Sequence, residues 1–109
     1  MKVVMTLGVR FGASKPPVVF TVVDMPSELN YDDVFEAANR IDLPAMDKAN
    51  LKYAWQRRIR DLIDIYGSPS MSVHDELLLM SDAGQIVMKV ICESHGWSFH
   101  PIPDEVGLV

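Results

Sequence analysis

Two sets of side chains in this sequence have the types and spacing that chemistry needs. Cys92, His95 and His100 follow a Cys-x2-His-x4-His spacing. A thiolate and two imidazoles are good zinc donors, and a closed site needs a fourth ligand. Asp104 is the nearest oxygen donor in sequence. This set predicts a zinc-supported binding module. The second set is His74-Asp75-Glu76, two adjacent carboxylates inside an apolar stretch. Carboxylate oxygens suit Mg²⁺ or Mn²⁺, so Asp75 and Glu76 are candidate ligands for metal-assisted phosphoryl chemistry.

The segment Val73-His74-Asp75-Glu76-Leu77-Leu78 resembles the palm motif of family A DNA polymerases. In that family a His-Asp-Glu sits at a strand bend and its Asp binds catalytic metal. The likeness implies that Asp75 would be the metal-binding carboxylate of a nucleic-acid enzyme or a fragment of one. It covers about a dozen residues at most. The family's second carboxylate motif and its nucleotide-binding helix have no recognisable counterpart here.

The remaining charges form two one-sign segments. Lys48, Lys52, Arg57, Arg58 and Arg60 are five of the ten basic residues. At about 100° per helical residue they do not share one face. Pairs such as Arg57–Asp61 and Arg60–Asp64 are expected instead. The acidic segment is cleaner: Asp24, Glu28, Asp32, Asp33, Glu36 and Asp42 face only Arg40 as opposing charge. With Tyr31 in its midst, it is the expected binding surface for a basic protein partner. Tyr53 is a second aromatic of exposed type. The seven Met residues are scattered and read as core fillers. No Gly-x-Ser-x-Gly elbow, phosphate loop or dinucleotide fingerprint is present.

The elements that would position these groups follow from periodicity and punctuation. Residues 2–9 and 17–24 are rich in Val, Thr, Leu and Phe and predict two strands joined as a hairpin. Met1 to Leu7 reads as a strand rather than a leader, because Gly8, Val9 and Arg10 interrupt the apolar run. Asn30 is a good N-cap for a helix over about 31–41, with Asp32 and Asp33 at its positive end. Leu51, Trp55, Ile59, Leu62 and Tyr66 recur in steps of three and four, which predicts a long amphipathic helix over about 45–66, stopped at Gly67. Ser70 to Met80 predicts a third strand. Ile86, Val87, Val90 and Ile91 read as the buried stripe of a C-terminal helix over about 83–94, capped by Asp82. Trp97, Phe99 and Ile102 suggest a short last strand. The expected fold is a single α+β domain over residues 1–109 in two layers, ordered ββααβαβ.

Composition bounds the rest. With 109 residues, 49% hydrophobic and 23% charged, the chain has the balance of a globular domain. One cysteine excludes an intramolecular disulfide and fits a reducing, cytoplasmic setting. The formal charge of −5 disfavours direct binding to nucleic acid, and no apolar run is long enough for a membrane span. The expectation is a small non-enzymatic interaction or regulatory domain, acting as inhibitor, adaptor or assembly subunit. It would need no cofactor and would bind a larger protein through its acidic 24–42 region. A homodimer formed over an open strand edge is a further expectation.

Overall fold

A computed structural model describes residues 1–10, 15–39 and 51–102. Strands β1 (Lys2–Leu7) and β2 (Val18–Val22) come first. They are followed by helices α1 (Tyr31–Ala38) and α2 (Ala54–Tyr66). Strands β3 (Glu76–Met80), β4 (Ile86–Glu93) and β5 (Gly96–Pro101) come next. The five strands form one antiparallel sheet in the order β2-β1-β3-β4-β5, so β2 and β5 are its edges. Mixed helices and a sheet match the α+β expectation. Among the described residues, no helix is long and apolar enough to cross a membrane.

The alternation of side chains along each strand decides where the core forms. Val3, Met5 and Leu7 are buried, as are Phe20 and Val22 on β2, Leu77 and Leu79 on β3, and Val90 and Cys92 on β4. Val34, Ala37 and Ala38 of α1, with Ile59 and Ile63 of α2, pack onto this same face. At α2, Phe20 and Tyr66 stack with ring centroids 5.8 Å apart, which places that helix beside β2. At α1, Tyr31 meets Phe99 edge-on at 5.2 Å, which places that helix beside β5. The sheet is therefore covered on one face by both helices.

Local signals read from the sequence hold where they concern neighbours in the chain. Asn30 caps α1, its side chain accepting from Asp32 N at 2.9 Å. Gly67 ends α2 in the left-handed region (φ +62°), which suits glycine. At the start of α2, Gln56 Oε1 accepts from Tyr53 N, while Gln56 Nε2 donates to Asp33 O, both at 3.0 Å. One buried amide thus holds the two helices together. The α2 helix begins at Ala54 rather than near residue 45; residues 45–50 lie outside the described segments, as do Arg40, Asp42 and Asp104.

The order and the C-terminal helix differ from expectation. Among the described residues the order is ββααβββ, and residues 86–93 are a strand rather than part of a helix over 83–94. The stripe Ile86, Val87, Val90 and Ile91 fits a helix only if Ser81 to Gln85 starts one. Instead, this segment is a hairpin turn: Ser81 N donates to Gln85 O at 2.8 Å, and Gly84 sits at φ +85°. Asp82 pairs with the N-terminal ammonium at 3.1 Å rather than capping a helix. A β-bulge at Leu79/Met80 places Val87 as an extra residue, because Leu79 pairs with Met88 and Met80 with Ile86. Val90 faces the core whereas Ile86, Val87 and Ile91 face the other side, so the helix-like spacing arises from apolar, mostly β-branched residues on both faces of the strand. The third strand is also shorter than expected, running from Glu76, with the Ser72–Asp75 turn before it.

Candidate functional site

The acidic segment reaches the surface along the turn before α1 and along α1 itself. Asp24, Glu28, Asp32 and Glu36 are exposed, while Tyr31 and Asp33 are half-buried. Asp32 and Glu36 are four residues apart and share one side of the helix. On that side α1 meets the inner face of β5. Trp97 Nε1–H donates to Asp32 Oδ1 at 3.3 Å. Phe35 lies edge-on to Trp97 at 6.2 Å, and Tyr31 leans on the same indole at 5.7 Å. Burial pushes the Tyr31 phenol up. Phe99 remains 50% exposed at the sheet edge. Beside these rings is a hollow of about 200 Å³, lined by Asp32, Phe35 and Trp97, and by Cys92 to Ser94 and Gly96.

A second hollow, of about 330 Å³, opens on the other flank of the acidic segment. Glu28, Asn30 and Asp33 line one side, and Tyr53 and Trp55 the other. These two rings stack at 5.6 Å with 9° between their planes. Lys52 Nζ sits 5.1 Å from the Tyr53 ring centre. The acidic segment therefore runs between two recesses, each pairing carboxylates with aromatic walls. That combination attracts cationic side chains twice over, by charge and by the ring quadrupole.

The His74-Asp75-Glu76 motif does different work. Asp75 is fully buried. Its Oδ1 accepts from Gly8 N and Val9 N, both at 3.0 Å, and its Oδ2 accepts from Ser72 N at 2.9 Å. Asp75 O also accepts from Cys92 N at 2.9 Å. One residue thereby ties the end of β1, the turn before β3 and strand β4. His74 holds φ +78° at the third position of the Ser72–Asp75 turn, and its N–H donates to Cys92 O. Glu76 faces Lys89 across the β3–β4 pair, Oε1 to Nζ 3.2 Å.

Cys92, His95 and His100 are separated by the β4–β5 hairpin. Cys92 is buried in the core, and His95 is in the two-residue turn between Glu93 and Gly96. His100 pairs with Lys89 in the ladder, one face away from Cys92, and its Nε2 lies 3.1 Å from Ser98 Oγ. Burial, then the charges of Asp75 and Glu93, push the Cys92 thiol up. Among the described residues, no three His, Cys, Asp or Glu side chains gather where they could hold a metal ion.

The basic residues of α2 and the turn before it are dispersed. Arg57 donates to Leu51 O at 2.8 Å and Arg58 to Val23 O at 2.6 Å. Arg60 pairs with Asp64 at 3.1 Å, the i,i+4 contact expected from spacing.

No protein-family model, curated protein or solved structure matches this chain.

Sequence reasoning found the acids and Tyr31 but missed the aromatic half of the surface. Phe35, Trp97 and Phe99 read as ordinary helix and strand residues. Only the β4–β5 hairpin, which carries Trp97 back beside α1, brings them to Asp32. A usable signal existed: Trp97 and Phe99 are two residues apart and share one face of a strand.

Proposed function

We propose that this chain is a non-enzymatic protein-interaction domain that holds a basic segment of a partner protein on the surface around α1. Asp24, Glu28, Tyr31, Asp32, Asp33 and Glu36 supply the contact. The observation that supports this most is the joining of Asp32 to Trp97 beside a recess walled by Phe35. A Lys or Arg side chain entering it meets a carboxylate and an aromatic face together. The stacked Tyr53 and Trp55, across from Glu28 and Asp33, offer a second seat, so a segment with two spaced cations is the preferred ligand. Charge brings the partner in, and the rings add contact that salt does not screen. An inhibitor, adaptor or assembly subunit would all work this way.

The test is calorimetric titration with an Arg/Lys-rich peptide and a Glu-rich peptide of equal length. The basic peptide is expected to bind with micromolar affinity that weakens as salt rises, and the acidic peptide not to bind. Trp97→Ala with Asp32→Asn should weaken binding by about tenfold or more, equivalent to about 1.4 kcal/mol. Equal binding of both peptides, or full affinity in that double variant, would overturn the proposal.

A further inference from the structure

The recess beside Trp97 differs from the one beside Trp55 in what already sits near it. At the Trp55 recess the chain brings a cation of its own, Lys52 Nζ, 5.1 Å from the Tyr53 ring centre. At the Trp97 recess, every charged side chain among the described lining residues is acidic: Asp32 and Glu93. Its aromatic walls are Phe35 and Trp97, whose planes stand at 84° with centroids 6.2 Å apart. The corner between two nearly perpendicular rings opens on a face of each, and ring faces carry the negative end of the quadrupole. Trp97 is held in place from two directions. Its Nε1–H donates to Asp32 Oδ1 at 3.3 Å, and Tyr31 leans on it at 5.7 Å. The corner therefore stands formed before a ligand arrives, which lowers the cost of binding.

The kind of cation follows from the acceptors. Asp32 Oδ1 is engaged by Trp97, and Glu93 Oε1 accepts from Ser98 Oγ at 2.9 Å. A primary ammonium is strongly hydrated, and all its N–H donors need acceptors once water is stripped away. Ring faces are poor replacements for that water. Each methyl group on the nitrogen removes a donor and adds apolar surface, while the positive charge stays. Aromatic corners favour such alkylated cations.

We propose that the Trp97 recess takes a methylated lysine of the partner protein, the trimethylated form best. The head sits in the Phe35–Trp97 corner, with the carboxylates of Asp32 and Glu93 balancing its charge. The hollow of about 200 Å³ has room for a trimethylammonium head. This inference rests on the reading of the α1 surface as a seat for a basic segment, and it names the side chain that the segment presents.

Calorimetric titration of the full chain with one basic peptide, its central lysine unmodified, mono-, di- or trimethylated, tests it. Affinity is expected to rise along the series, reaching about tenfold at trimethyl-lysine, equivalent to about 1.4 kcal/mol. Methylation leaves the charge unchanged, so this preference should persist at high salt although every affinity falls. Phe35→Ala, at a position 38% exposed, should abolish the preference. On the native chain, the Trp97 indole N–H resonance should shift further with the trimethylated peptide than with the unmodified one, a readout that needs no variant. Equal binding of all four forms overturns this inference and leaves the basic-segment reading standing, whereas no binding by any form overturns both. An uncharged tert-butyl isostere that binds as tightly as trimethyl-lysine overturns the cation contact. Tighter binding of phosphocholine than of the trimethylated peptide overturns the protein source in favour of a lipid headgroup.

Discussion

Asp75 and Asp32 are chemically the same residue, and each lies within a short step of an element's start, yet they occupy opposite physical regimes. Asp75 is sealed in the interior, where three backbone N–H groups surround its carboxylate. Asp32 stands exposed in the first turn of α1, beside the Trp97 indole. In the interior an unmet N–H costs its full desolvation, so Asp75 acts through the groups it satisfies. At the surface water and salt screen the carboxylate, so Asp32 contributes little to folding and remains available to a ligand. A carboxylate's surroundings, more than its place in a motif, decide whether it holds a fold together or meets another molecule.

The largest expected effect tests the buried member. Asp75→Ala strands the amides of Gly8, Val9 and Ser72 and should remove about 3–5 kcal/mol of stability. Denaturant unfolding checks this, and a midpoint unchanged within error would show that water replaces the carboxylate. Asp75→Asn keeps one oxygen but turns an NH₂ group toward at least one N–H donor. It should cost about half as much, a gradation a merely space-filling role would not produce.

A middle-sized effect marks the boundary between the regimes. Asn30→Ala removes the α1 cap, whose side-chain oxygen accepts from Asp32 N, and should cost about 1 kcal/mol. Hydrogen exchange should show the loss as faster opening of the first turn of α1, with β1 and β3 little affected until global unfolding. Equal acceleration everywhere would mean that α1 and the sheet open as one unit.

The smallest stability change is expected at the exposed member. Asp32→Asn should alter unfolding free energy by no more than about 0.5 kcal/mol. The same substitution should reduce the salt dependence of basic-peptide binding, measured by titration at two ionic strengths. A large loss of stability at Asp32 would erase the contrast and recast the Trp97 contact as a structural strut.

Much of the fold was legible where cause and effect are close in the chain. Asn30 and its N–H partner are two residues apart, Arg60 and Asp64 four, and Gly67 directly follows the helix it ends. The first two strands were readable for the same reason, since alternation is a local pattern, but the buried side of α2 is Gln56, Ile59, Arg60 and Ile63, whereas Tyr66 of the expected stripe is 55% exposed. Residues 86–93 were misread because β4 carries apolar residues on both faces, Val90 inward and Ile86, Val87 and Ile91 outward, which mimics helical spacing. The spacing Cys-x2-His-x4-His likewise says nothing of strand alternation, which sends Cys92 inward and His100 outward.

The sequence by itself determined composition, charge, most element types and the acidic run that the proposed surface uses. Tertiary structure alone decided which groups meet. Asp75 finds Gly8 and Val9 at separations of 67 and 66 residues, and Trp97 finds Asp32 across 65. Which sheet face the two described helices cover is also a tertiary outcome, because both settle on the side of Val3, Met5 and Leu77. Periodicity reports which side of an element is apolar, whereas the choice of partner depends on how distant elements pack, and no local pattern encodes that.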